Sequence, residues 1–194
     1  DTLYPEITLI PYPKAGTTNS AVRIGVVDAS GGAIRWMKVP GDPRDTYLAR
    51  MDWCDDSDTL ILQHLNRLQN TNDVLLADVA TGEVRPAHQD RSETWVDVMD
   101  DLEWLEGSEE FLWLSEKDGW RHAYRVRRDG TSEKLITRFD ADVISLVGLG
   151  AGEEWLYFLA SPDNATQRYL YRARVDGSGT HERVSPADQP GSHS

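Results

Sequence analysis

Asp28-Ala29-Ser30-Gly31, Asp78-Val79-Ala80-Thr81-Gly82, Asp129-Gly130 and Asp176-Gly177 each end a strand-like run in a small-residue turn that carries glycine. The four glycines stand 51, 48 and 47 residues apart, a near-constant period that marks a repeat architecture. Outward from these turns, Asp52–Leu62 aligns with Glu103–Trp113 and, more loosely, with Val147–Tyr157. Each copy reads as a strand, an acidic or glycine-rich turn, and a second strand.

The second strand of each copy (Leu60–Leu62, Phe111–Leu114, Trp155–Ala160) is a continuous apolar run of β-formers, the pattern of a strand covered on both faces. The third strands are expected to alternate. In Tyr169–Val175 the Tyr, Ala and Val side chains fall on one face, with Arg172 and Arg174 on the other. After each glycine turn comes a short fourth segment, Glu83–Arg85, Glu133–Ile136 or Glu182–Val184, able to pair back as an outer edge.

Four antiparallel strands per ~45-residue unit, stacked through aromatic faces, is the sequence form of a β-propeller blade. A helical repeat of similar length fails because apolar residues do not recur at three and four. The expected fold is therefore all-β: an arc of three and a half to four blades of a larger ring. Its approximate repeats are 1–45, 46–94, 95–141 and 142–186, all belonging to one propeller domain.

Composition agrees with a globular β-protein: 39% of the 194 residues are hydrophobic, with seven Trp and seven Tyr to fill sheet interfaces. The net charge of −13 argues against a nucleic-acid partner, which needs clustered Lys and Arg. Arg121, Arg125, Arg127 and Arg128 are the densest basic group and read as the solvated face of one strand. The lone Cys54 forms no internal disulfide and has no basic neighbour in sequence to activate it. No apolar run reaches the ~18 residues of a membrane span, and no signal peptide is present.

The histidines His64, His88, His122, His181 and His193 lack metal-ligand spacing, so neither a metal nor a cofactor is expected. His122 reads as a hydrogen-bonded structural residue. Asp55–Asp58 lacks the glycine and terminal glutamate of a calcium loop and reads as a hairpin turn.

Several motifs occur in a fixed order: Tyr12-Pro13-Lys14-Ala15-Gly16, Leu65-Asn66-Arg67-Leu68-Gln69-Asn70, Trp95-Val96-Asp97 and Ser115–Tyr124, closing with Val184-Ser185-Pro186 and Gly191-Ser192-His193. Together, over roughly residues 4–193, they resemble the N-terminal propeller of the dipeptidyl peptidase IV family, a branch of the prolyl oligopeptidase serine peptidases. That resemblance implies an eight-bladed propeller above an α/β-hydrolase domain. The pair removes N-terminal dipeptides with proline or alanine in second place, through a Ser, Asp and His triad.

The family's Gly-x-Ser-x-Gly nucleophile turn is absent from these 194 residues, so no catalytic residue is assigned. The hydrolase domain is expected to follow Ser194. The family's paired glutamates, which hold the substrate ammonium, would lie upstream of Tyr12. Glu109-Glu110 and Glu153-Glu154 are instead expected in solvated turns. In mammalian relatives an Arg-Phe pair on the loop after the tryptophan approaches the substrate; the corresponding positions are Val98 and Met99, which remove both the charge and the ring. Trp95 itself is expected to pack within a blade.

Both ends of the chain read as cut. The resemblance implies a bacterial parent, periplasmic or cytoplasmic. Its expected partners are the C-terminal hydrolase domain, peptide substrates and further copies of itself. The chain alone is expected to be inactive. The competing reading is a stand-alone propeller-type interaction module whose likeness reflects shared blade physics. The reading frame beyond Ser194 discriminates the two.

Overall fold

The computed structural model describes residues 3–12, 14–107 and 109–193. Pro13, read as the end of an extended segment, and Ser108, read as part of a hairpin turn, lie outside the described residues. The first sheet pairs only β1 (Gly25–Val26) with β2 (Arg35–Trp36). The second holds β3 (Thr46–Trp53), β4 (Thr59–Asn66), β5 (Thr71–Asp78) and β6 (Val84–Arg91). The third holds β7 (Glu103–Trp104), β8 (Glu110–Ser115), β9 (His122–Arg127) and β10 (Glu133–Leu135). The fourth holds β11 (Val143–Leu149), β12 (Trp155–Ala160), β13 (Tyr169–Arg174) and β14 (His181–Arg183). Every sheet is an antiparallel meander in chain order, which is the blade of a partial β-propeller.

The reason for stacking is visible in β4. Its Leu60 and Leu62 pack with Ile24, Met37, Leu75 and Ala77 toward the first sheet. Ile61, from the opposite face, joins the larger cluster that holds Phe111, Trp113, Phe158 and Tyr171 of the third and fourth sheets. Period-two alternation in a strand covered on both sides thus feeds two cores. Phe111, Trp113 and Phe158 are wholly buried, and Phe139 stacks on Phe158 and Tyr171 at 5.6 and 6.3 Å between ring centroids.

The glycine turns share one chemistry. In each, the aspartate Oδ1 accepts a backbone N–H from a serine or threonine two or three residues on: Ser30, Thr81, Thr131 and Ser178. Hydroxyl hydrogen bonds from Ser30, Thr81 and Thr131, joined by these backbone bonds, hold Asp28, Asp78 and Asp129 below their ordinary pKa, and for Asp176 the backbone bond from Ser178 leads. The turn glycines all have positive φ.

Neighbouring blades are also latched. Arg35 Nη1 on β2 donates to the carbonyl of Val79 at 3.0 Å, and Arg85 Nη1 on β6 to that of Arg128 at 2.8 Å. Lys134 Nζ on β10 donates to the carbonyl of Asp176 at 2.5 Å. Each outer-strand cation thus reaches the glycine turn of the following sheet. Arg85 pairs in register with Leu76, Lys134 with Arg125, and Glu182 with Arg172, so in the fourth sheet a carboxylate occupies the latch position. It forms an ion pair with Arg172 of its own sheet.

Four expectations are corrected. Only β13 alternates cleanly; in β5, Val74, Leu75, Leu76 and Ala77 are all buried because both faces of the second sheet are covered. The basic group is not a solvated face. Arg121 Nη1 bonds the carbonyls of Val143 and Ile144, Arg125 pairs with Glu110, and Arg128 reaches Asp56 of the second sheet. The third copy is shifted by one residue. The hydrogen bonds Cys54 N–H to Thr59, Leu105 N–H to Glu110 and Gly150 N–H to Trp155 are equivalent, which places Glu154, not Glu153, opposite Glu109. Glu110 lies in β8 rather than in a solvated turn.

Candidate functional site

The segment between β6 and β7 carries Trp95, Val98 and Met99, and it has no strand partner along its length. It is held instead by its neighbours. The hairpin Asn66–Asn70 closes on itself as Asn66 Oδ1 accepts the N–H groups of Asn70 and Thr71. Its outward carbonyls on Gln69 and Asn70 then accept the N–H groups of Val96 and Ser92, at 2.9 and 3.1 Å. Further on, Gln63 of β4 takes both backbone groups of Met99: its Oε1 accepts the Met99 N–H at 2.9 Å and its Nε2 donates to the Met99 carbonyl.

The two residues singled out from sequence therefore stand in different surroundings. Met99 is buried, 4% exposed, with its side chain in the main core. Val98 is half-buried. Trp95 does not pack inside a blade: it is 52% exposed, and its indole N–H donates to Asp97 Oδ1 at 2.8 Å.

This segment forms one wall of a cavity of about 500 Å³. The facing wall is the hairpin between β8 and β9, with Ser115, Lys117 and Arg121. At its base Asp90 is 6% exposed; its carboxylate accepts Ser115 Oγ–H at 2.8 Å and the Trp113 indole N–H at 3.2 Å. Lys117 pairs with Glu133 and lies 4.0 Å from the Tyr124 ring centroid. Glu133 Oε2 lies 3.3 Å from Nδ1 of His88. Burial holds His88 below its ordinary pKa, against the pull of Glu133.

Most buried polar groups around this cavity are paired, while Nε2 of His88 has no partner among the described residues. His122 spends one ring nitrogen on Asp118 and the other on the carbonyl of Phe139, both at 2.8 Å. Burial pushes the Cys54 thiol up to about 12, far from a reactive thiolate. Asp56 Oδ1 accepts the N–H groups of Asp58 and Thr59, closing the Asp55–Asp58 hairpin turn. Among the described residues no group of three or more His, Cys, Asp or Glu is placed to hold a metal ion. The cavity is walled by one exposed indole, a half-buried valine and charged rims.

A second cleft, about 320 Å³, opens between the third and fourth sheets, lined by Glu106, Glu110, Arg125, Glu153, Glu154 and Arg174. Its charges are largely paired within it, Arg125 with Glu110 and Arg174 with Glu154. Glu153 Oε2 accepts the Glu106 N–H at 2.7 Å.

Gln63, Asn72 and Asp90 were not singled out from the sequence. The available signal was a polar pair, Gln63-His64, inside the apolar run Leu60–Leu65. A buried polar side chain in a strand covered on both faces needs a partner.

Sheets of this kind, stacked in order and presenting a cavity on the segment that leaves an outer strand, define a propeller domain. All of residues 1–194 match the family described as the dipeptidyl peptidase IV N-terminal region, and the chain belongs to that family. It is 26% identical over 180 residues to "Probable dipeptidyl peptidase 4" of Emericella nidulans, covering 87% of this chain and 23% of that protein. Over 196 residues it is 27% identical to "Inactive dipeptidyl peptidase 10" of Mus musculus, covering 94% and 24%. The crystal structure of Porphyromonas gingivalis dipeptidyl peptidase 4 superposes with a TM-score of 0.84 at 27% identity, covering 99% of this chain and 27% of that one. The chain thus spans about a quarter of the length of these relatives.

Proposed function

We propose that this chain is the gating and scaffolding arc of a larger serine exopeptidase that removes N-terminal dipeptides of the Xaa-Pro or Xaa-Ala type. What carries the reading is the family match over every residue, joined by the likeness to a dipeptidyl peptidase 4 structure. In this reading the catalytic triad belongs to a C-terminal α/β-hydrolase domain. The 92–102 segment faces the peptide, with Val98 and Met99 as its contact positions. Val98 supplies a side chain, and the buried Met99 fixes the backbone beneath it.

The test is hydrolysis of Gly-Pro-p-nitroanilide. The full-length protein is expected to release the chromophore, and residues 1–194 alone are expected to release none. Turnover by the pure 194-residue chain sinks the proposal. Silence from the full-length protein favours a second reading, a propeller used as an interaction module. The likeness to a relative named inactive supports that alternative.

We further propose that the 194-residue chain on its own self-associates, by a contact that a complete ring does not need. In the isolated chain Trp36 of the first sheet and Val22, Val27 and Ile34 beside its strands are 43–51% exposed, an apolar surface of the kind that recruits partners. Residues 1–194 are expected to self-associate in light scattering. A monomer at high concentration contradicts this.

A further inference from the structure

Gln63 sits in β4 on the face turned toward the third sheet, 5% exposed. Its amide gives Met99 what a paired strand would give: an acceptor for the N–H and a donor for the carbonyl. The need of the Met99 N–H for an acceptor fixes which way round the amide lies. A second donor, Asn72 Nδ2 of β5, reaches the same Oε1 at 3.0 Å. Asn72 is wholly buried. Gln63 and Asn72 therefore form a rigid bracket built on two central strands, closing on Met99, whose side chain enters the main core.

The consequence falls on the neighbours of Met99. Val98 is fixed on one side by the clamped Met99 and on the other by Asp97, which is bonded to the Trp95 indole. Val96 is tied to Gln69. Without the bracket, Met99 would leave a buried N–H and carbonyl unpaired, and the segment would have to move to find water.

We infer that Gln63, backed by Asn72, is a positioning residue for the peptide-facing segment Trp95–Met99, setting how the protein discriminates between substrate peptides. The inference rests on the dipeptidyl peptidase reading above. It assigns no chemistry to Gln63, which acts only through the backbone of Met99.

The experiment uses the full-length protein and the near-isosteric Gln63→Met. Amide hydrogen exchange at Met99 is expected to speed up by about tenfold, the equivalent of one net hydrogen bond, while β8 and β12 stay protected. With Gly-Pro- and Tyr-Pro-p-nitroanilide as probes, the ratio of their KM values is expected to shift by about fivefold, with kcat held within about twofold. Gln63→Glu supplies a second arm. Its neutral acid can donate to the Met99 carbonyl and accept the N–H, whereas its carboxylate keeps only the N–H and repels the carbonyl, so protection at Met99, corrected for the intrinsic pH dependence of amide exchange, should approach the wild-type level at low pH and fall as the carboxyl ionises. Unchanged exchange at Met99 overturns the bracket. A uniform change in both KM values and in kcat reduces it to a merely structural role. If the wild-type protein turns over neither substrate, the peptidase reading fails and the discrimination claim with it, while exchange at Met99 still judges the bracket.

Discussion

Gly82 and Gly31 occupy equivalent turns and differ in what stands beside them. Both have positive φ, +75° and +90°, where a side chain costs about 1–2 kcal/mol. A Cβ on Gly31 would meet nothing within 4 Å, whereas one on Gly82 would lie 2.7 Å from the backbone carbonyl oxygen of Trp36. Gly31→Ala is therefore expected to lose about 1 kcal/mol and Gly82→Ala about 3 kcal/mol or more, read from urea melts. His64 makes the opposite case. Both its ring nitrogens are buried and unpartnered, and burial lowers its pKa, with Asp73 pulling the other way. Its contribution is intact above the unfolded pKa near 6.5 and is lost as pH falls through the lower folded value, because the unfolded chain takes up the proton first. His64→Leu is expected to stabilise by about 1 kcal/mol at pH 8, with the advantage growing below pH 6.5. A wild-type chain that holds its margin better than the variant at pH 5.5 would contradict this.

Between the second and third sheets, Asp90 and His88 of β6 meet Trp113 of β8, the imidazole lying 5.6 Å from the indole in an edge-on arrangement. Asp90→Ala strands the Trp113 N–H and the Ser115 hydroxyl in a buried place. It should cost about 2–4 kcal/mol, while Asp90→Asn, which keeps an acceptor, should cost less than half as much; denaturant midpoints separate the two. At this scale the sequence was readable wherever burial dictates residue type. The apolar runs of β4 and β8 and the alternation of β13 follow directly from which faces are covered, whereas the apolar run of β12 leaves Trp155 and Tyr157 half-exposed. It was misread where side chains are free of that constraint. The glutamates of the β11–β12 turn are partly or wholly exposed, so matching their letters to Glu109-Glu110 carried no register information, and only the closing hydrogen bonds reveal the shift. Arginines misled for another reason: their reach lets them leave a polar face and bond a neighbouring blade. The bracket at Met99 joins residues 36 positions apart, a distance at which local pattern is silent.

At the scale of the molecule, the blades are near-copies joined to their neighbours, so stability is expected to behave as a sum of units and joints. Three of the joints carry a cation from an outer strand to a carbonyl in the next turn. The fourth sheet ends this series, for Glu182 stands where Arg85 and Lys134 stand in the others. Facing a carbonyl, a carboxylate repels. Paired with Arg172 of its own sheet, Glu182 has no cation to offer a following turn, so the copies are not interchangeable: a spare second or third blade spliced in after residue 186 would lack this latch and is expected to seat more weakly than one joined with Glu182 made basic. The order of blades in this arc is thus written partly in the sign of one recurring side chain.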